Sequence, residues 1–265
     1  HIFNQRYLEQ RNMIKIHEKS VLRRTQNGWL NSYHTFSFGQ FQDPTRMGFA
    51  NLRVINEDGL IPGGGFAPHD HANMDILTLV LDGQLRHEDD QGNVANIRAG
   101  QIQGMSAGVG VRHSEYNASS TDVAKFLQIW LIPDQLGGAP TYHQGTVGIG
   151  KDVLLAGPAA MTPLIPLRSQ TRLKLRRFAE GETLTVAAGG TDAHFVHLLD
   201  GLAYAENERL SAGDGMQIPP EETVTLRWHS HGAALVFEMP VSQARAEVAG
   251  AAAKTTQPDL QGDLT

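Results

Sequence analysis

The chain has no cysteine. That excludes disulfides, thiolate ligands and cysteine nucleophiles, so a transition-metal site would have to be built from histidine and carboxylate. No apolar run approaches the roughly 18–20 residues of a membrane helix, and no membrane partner is expected. Basic blocks are also missing. The 22 Lys and Arg against 28 Asp and Glu give a net charge of −6, which argues against nucleic acid as a partner. A cytoplasmic location is compatible with cysteine-free composition and is the expectation adopted.

What the chain does contain is glycine, 28 residues of it in a length of 265, separating short runs of Val, Ile, Leu and Thr. Asp75 to Leu81 is strongly apolar and ends in Asp82-Gly83, a hairpin signal. Gln84 to Glu88, Val94 to Arg98, Gln101 to Met105 and Lys125 to Ile132 follow at strand length, the last stopped by Pro133. Strands this short and this closely spaced predict an all-β sandwich or barrel and not βαβ units. Residues 136–152 are rich in Gly and Pro and read as a linker with one short helical turn. Beyond it His194 to Gly201 resembles Ile76 to Gly83, a weak internal repeat. The expected division is an extension or tag at 1–12, a first unit at 13–135, the linker, a second unit at 153–240 and a tail at 241–265.

Histidine carries the chemical signal. His69-x-His71 and His113-x-Glu115 each have strand spacing, so each pair points to one face. Brought onto neighbouring strands, three imidazoles and one carboxylate would converge. Such borderline-to-hard donors suit Fe(II), Mn, Ni, Co, Cu or Zn, and four protein ligands leave one or two positions open for water, substrate or dioxygen. The second half has His229-x-His231 but no partner pair, because His194 and His197 fall on opposite sides of a strand. His17, His87 and His143 lie on polar or turn segments and read as surface residues; His34 reads as structural. Phe36, Phe38, Phe49, Phe66 and Met105 could wall an apolar slot but read first as core.

Three stretches carry a family resemblance. Gly63-x5-His69-x-His71-x3-Asp75-x7-Gly83 resembles the first cupin motif, and Gly100-x7-Gly108-x4-His113-x3-Asn117 the second. With Gly28-Trp29-Leu30 through Phe38 and with Met105 through Glu115, the chain resembles the pirins. The resemblance implies a bicupin, two antiparallel β-barrel (jelly-roll) domains facing each other, with metal in the first and a degenerate second. It implies one divalent metal ion, iron(II) foremost, held by His69, His71, His113 and Glu115. It further implies a quercetin 2,3-dioxygenase activity that opens a planar flavonol with O2 and releases carbon monoxide, Glu115 doubling as the catalytic base. Asp75 stands where the cupin motif has Glu and is expected to be structural or to support the ligands; Asp70 is expected to point away from the metal. The alternatives are an iron-dependent regulatory or redox-sensing module and another cupin activity. A monomer is compatible with all three readings.

Overall fold

The computed structural model describes residues 13–241. The expected extension at 1–12, and all but the first residue of the expected tail at 241–265, lie outside them. Within that range the chain is almost wholly strand, and two seven-stranded sheets dominate. The first runs, in order across the sheet, Thr141–Thr146, Gln101–Ser106, Asp75–Asp82, Ala124–Leu131, Leu52–Leu60, Leu30–His34 and Arg23–Gln26. A four-stranded sheet of Gly65–His71, Val111–Tyr116, Gln84–Asp89 and Val94–Arg98 closes it into a barrel. The second half repeats the plan, with seven strands opposed by the four-stranded sheet Thr183–Val186, Val224–Trp228, Leu202–Ala205 and Glu208–Ser211. The bicupin expected from the sequence is the observed fold.

The apolar runs follow from where the large sheets sit. Each has one face inside its own barrel and the other face against the opposite large sheet. Ile55, Leu77, Leu79, Ile102, Leu127 and Ile129 of the first interdigitate with Leu155, Leu173, Leu175, Phe195, Leu235 and Phe237 of the second in one continuous core. A strand buried on both faces reads as an unbroken apolar run, not as an alternation. That is why Asp75–Asp82 and Ala124–Leu131 are the most apolar segments in the first half.

Two segments depart from the expected division. Thr141–Thr146, within the stretch read as linker, is a strand that pairs antiparallel with Gln101–Ser106 and extends the first large sheet. Its Gly and Pro neighbours obscured a run that needs little intrinsic preference, because the sheet edge supplies its hydrogen bonds. Lys15–His17, expected in the first unit, pairs instead with Gly215–Ile218 in the second large sheet. His17 is therefore no surface residue. It is 2% exposed, bonded to Gln217 at 3.1 Å, and its ring meets the edges of Phe36 and Phe195 in the core between the sheets.

Close approach of the two large sheets rests on Gly104. A methyl group added there would come to 2.0 Å from Cγ2 of Ile165 and 2.9 Å from Cδ2 of Leu77. Gly104→Ala should therefore destabilise the protein by about 1–3 kcal/mol, the usual cost of overpacking. Urea denaturation checks this, and an unchanged midpoint would mean that the sheets are not in contact at this point.

Candidate metal centre

The first barrel presents its site on the strands Gly65–His71 and Val111–Tyr116, which pair antiparallel with His113 opposite His69 and Val111 opposite His71. Period-two alternation puts His69 and His71 on the inner face. Asp70 faces out and meets Arg112 at 3.1 Å on the surface. The register shifts between His113 and Glu115, so that Glu115 faces Phe66 and the extra residue falls in the Ala67-Pro68 stretch of the edge strand. Proline has no N–H to give to a ladder and is tolerated at such a bulge. The same bulge puts the Ala67 carbonyl where it accepts Nδ1–H of His69 at 2.7 Å. The free nitrogen of His69 is thereby Nε2, and the ring's tautomer is set by its neighbour.

The rings of His69, His71 and His113 lie 4.5–5.0 Å apart, centroid to centroid. Their candidate donor atoms all fall within 4.8 Å of one another. His71 and His113 are buried, whereas His69 is half-buried at the mouth. Nε2 of His71 and both ring nitrogens of His113 have no hydrogen-bond partner. Burial, with His69 alongside, brings His71 down to about 3. Burial, then the neighbouring His69, His71 and His87, holds His113 well below the ordinary imidazole value. These rings are therefore neutral at pH 7, the form that ligates metal. Trp130 stands edge-on to His71 at 4.9 Å and fixes it from behind.

Glu115 has no solvent exposure and is held entirely by neutral donors. Oε1 accepts from Nε2 of Gln103 at 2.5 Å and from Oγ1 of Thr78 at 3.1 Å, and Oε2 accepts from Nε2 of Gln128 at 2.8 Å. No lysine or arginine among the described residues forms an ion pair with it. Glu115 clusters with His113 and His87, and not with all three of the other histidines together. His87 is the residue the sequence reading misplaced. It is fully buried, opposite Glu115 in the register. The signal was present: Leu85 and His87 are the inward positions of Gln84–Asp89, with Arg86 and Glu88 turned outward. Three unpartnered imidazoles beside a desolvated carboxylate fit a divalent cation, since a buried charge needs an opposite charge or a metal.

Other expectations sort cleanly. Asp75 is no donor to this cluster; it accepts from Ser106 Oγ and, at 2.9 Å, from the backbone N–H of Arg168, tying the first barrel to the second. His34 is fully buried and bonds to Thr25 at 2.8 Å and Asn56 at 2.9 Å. Phe36 and Phe49 belong to the core between the sheets, and Phe38 and Met105 pack with Trp130 inside the first barrel. In the second barrel the matching space is filled by Leu184, Val196, Leu198, Leu226 and Trp228, the last stacked on Phe178 at 3.6 Å. His229 and His231 are exposed there.

A metal-binding barrel joined to an apolar one defines the bicupin class, and the comparisons with known proteins give the family. The Pirin family model matches residues 16–131, and the model described as the quercetinase C-terminal cupin domain matches 154–239. The chain is 35% identical over 230 residues to quercetin 2,3-dioxygenase of Escherichia coli, covering 86% of this chain and 99% of that one. It is 37% identical over 205 residues to a pirin-like protein of Caulobacter vibrioides, covering 76% and 88%. The crystal structure of the bacterial pirin YhhW from Escherichia coli in complex with nickel(II) superposes with a TM-score of 0.82 at 34% identity, covering 87% of this chain and 100% of that one. This chain belongs to the pirin family.

The buried groups set a pH dependence of stability. Burial lowers His71 to about 3 and His17 and His197 to about 4, and lowers His113 further than an ordinary imidazole. Burial also raises Asp58 to about 7 and Asp75 to about 6. Between pH 4 and 6 the unfolded chain binds protons at four imidazoles that the folded chain keeps neutral, while the folded chain keeps two carboxyls protonated that the unfolded chain ionises. Unfolding takes up protons on balance, so stability of the metal-free protein rises with pH across this window, by roughly 1–3 kcal/mol per unit. Urea midpoints measured at pH 4.5, 5.5 and 6.5 should climb in that order; a flat or falling series would show that the imidazoles titrate normally.

Proposed function

We propose that this chain is a metal-dependent dioxygenase that opens the ring of a quercetin-like flavonol with O2 and releases carbon monoxide. In this reading His69, His71, His113 and Glu115 hold one divalent cation, iron(II) in the cell. The observation that carries it is the cluster of three imidazoles, those of His71 and His113 buried with ring nitrogens that have no hydrogen-bond partner, against a buried carboxylate that has no cationic partner among the described residues. The named relatives supply the substrate: the Escherichia coli protein that matches most of this chain is a quercetin 2,3-dioxygenase, and its family is the one shown above. Iron(II) suits imidazole and carboxylate donors that leave coordination positions open.

When bound, the cation would lower the pKa of an enol hydroxyl placed on it, as it does for water. The remaining work falls to side chains. Glu115 Oε1 already accepts two hydrogen bonds, whereas Oε2 accepts one, so Oε2 keeps one lone pair, which holds the cation or, when that bond is released, takes the enol proton. Gln103, Gln128 and Thr78 keep the carboxylate from rotating while it does so. Trp130, behind His71, keeps that ring in place, and the half-buried His69 marks the more accessible side of the site.

Two measurements test this. Iron-loaded protein given quercetin should consume O2 and evolve carbon monoxide, and Glu115→Gln should slow O2 consumption by roughly 10²–10⁴-fold, the range of general base catalysis. His113→Ala should leave the purified protein without bound metal by elemental analysis. Metal-replete protein that leaves quercetin intact would overturn the dioxygenase reading, and full metal content in His113→Ala would overturn the site.

A further inference from the structure

The fourth buried histidine of the first barrel has no part in the proposed ligand set, yet it is built as a ligand. Nε2–H of His87 donates to Oδ2 of Asp89 at 3.0 Å, and both side chains are 1% exposed. That bond leaves Nδ1 as the lone-pair nitrogen, and Nδ1 is buried with no partner. Asp89 is itself immobilised, accepting from the backbone N–H groups of Gln91 and Asn93 and from the Asn93 amide at 2.9–3.1 Å. A carboxylate that orients an imidazole through its far nitrogen is the arrangement that recurs behind metal-bound histidines. Tyr142 fixes the ring plane: it stacks on His87 at 4.7 Å and donates its hydroxyl to Gln103, whose amide holds Glu115. Leaving such a nitrogen unsatisfied is unfavourable, and an apolar residue in its place would avoid that cost.

We propose that His87, His113 and Glu115 form a second seat for a divalent cation, deeper in the barrel than the seat proposed above at His69, His71, His113 and Glu115. The donor atoms of the three lie within 4.8 Å of one another, and all three residues are at most 2% exposed. The inner seat combines two imidazole nitrogens with one carboxylate oxygen, a donor set that suits Zn, Co, Ni or Fe(II). Both seats need His113, so they are alternatives for one ion and do not add. An ion in the inner seat exchanges His69 and His71 for His87; an ion in the outer seat has the half-buried His69 and open positions toward the mouth. This inference rests on the reading of the barrel as a metal site and extends it to where the ion can go.

The test uses full-length, metal-stripped protein titrated with cobalt(II), read by ligand-field absorption, by competition with a chelator and by elemental analysis. Wild type should bind one cobalt per chain. The pair His69→Ala/His71→Ala should still bind one, more weakly and with a changed absorption spectrum. Adding His87→Gln to that pair should remove the residual binding, and adding Asp89→Asn should weaken it roughly 10–100-fold. Circular dichroism verifies the fold of each variant, and His69→Gln/His71→Gln replaces the alanine pair if the latter does not fold. A folded pair that binds no cobalt, or one whose affinity is unchanged by His87→Gln, overturns the inner seat. Wild type that binds no cobalt overturns the parent reading of the barrel as a metal site as well.

Discussion

The first barrel depends on the burial of one negative charge. Glu115 lies where water does not reach, and its neighbours supply hydrogen bonds but no positive charge. Taking a carboxylate out of water without a counter-charge costs several kcal/mol even after neighbouring dipoles adjust. Two amides and a hydroxyl reduce that cost but do not remove it. A divalent cation held by the adjacent imidazoles would complete the compensation. The polar side chains of the barrel floor, Thr78, Gln103 and Gln128, are thus consequences of that carboxylate, each satisfied by it or by another of the group.

The two halves of the molecule show what happens when that charge is absent. Both barrels use the same sheet plan, a seven-stranded sheet opposed by a four-stranded one. Among the described residues the interior of the second is an apolar cluster, filled by Trp228, Phe178 and aliphatic side chains. It offers the first barrel a rigid apolar face through Leu173, Leu175, Phe195 and Phe237. One half holds the chemistry, and the other contributes half of the core that fixes the sheet on which it is mounted.

Much of this was legible in the residues. Alternation placed His69 with His71 and His113 with Glu115, and the apolar strands announced the barrel sheets. What escaped was polar residues buried inside strands. Gln84 to Asp89 looks like a solvated hairpin because Arg86, Glu88 and Asp89 are charged, and the inward pair Leu85 and His87 is only half of the alternation. Gln128 and Thr78 were better marked, each a single polar residue inside a strand otherwise buried on both faces. A lone amide or hydroxyl in such a run has to find a buried partner, and here the partner is the Glu115 carboxylate. Tyr142 could not be placed, because nothing local revealed that its strand joins the edge of a sheet built from residues forty positions earlier.

The strand Lys15–His17 crosses to the far half and pairs with Gly215–Ile218, so the chain's earliest described strand completes the sheet built from its latest ones. The second half is therefore not a contiguous piece of the sequence. Cutting between them would strip the second large sheet of its edge strand, baring a row of unpaired N–H and C=O groups next to an apolar face, the combination that invites edge-to-edge association. Pirins of this construction are therefore not modular in the way that tandem domains are. A cupin of this kind cannot be lent to another protein, lost by truncation or duplicated alone without taking the first residues of its neighbour with it.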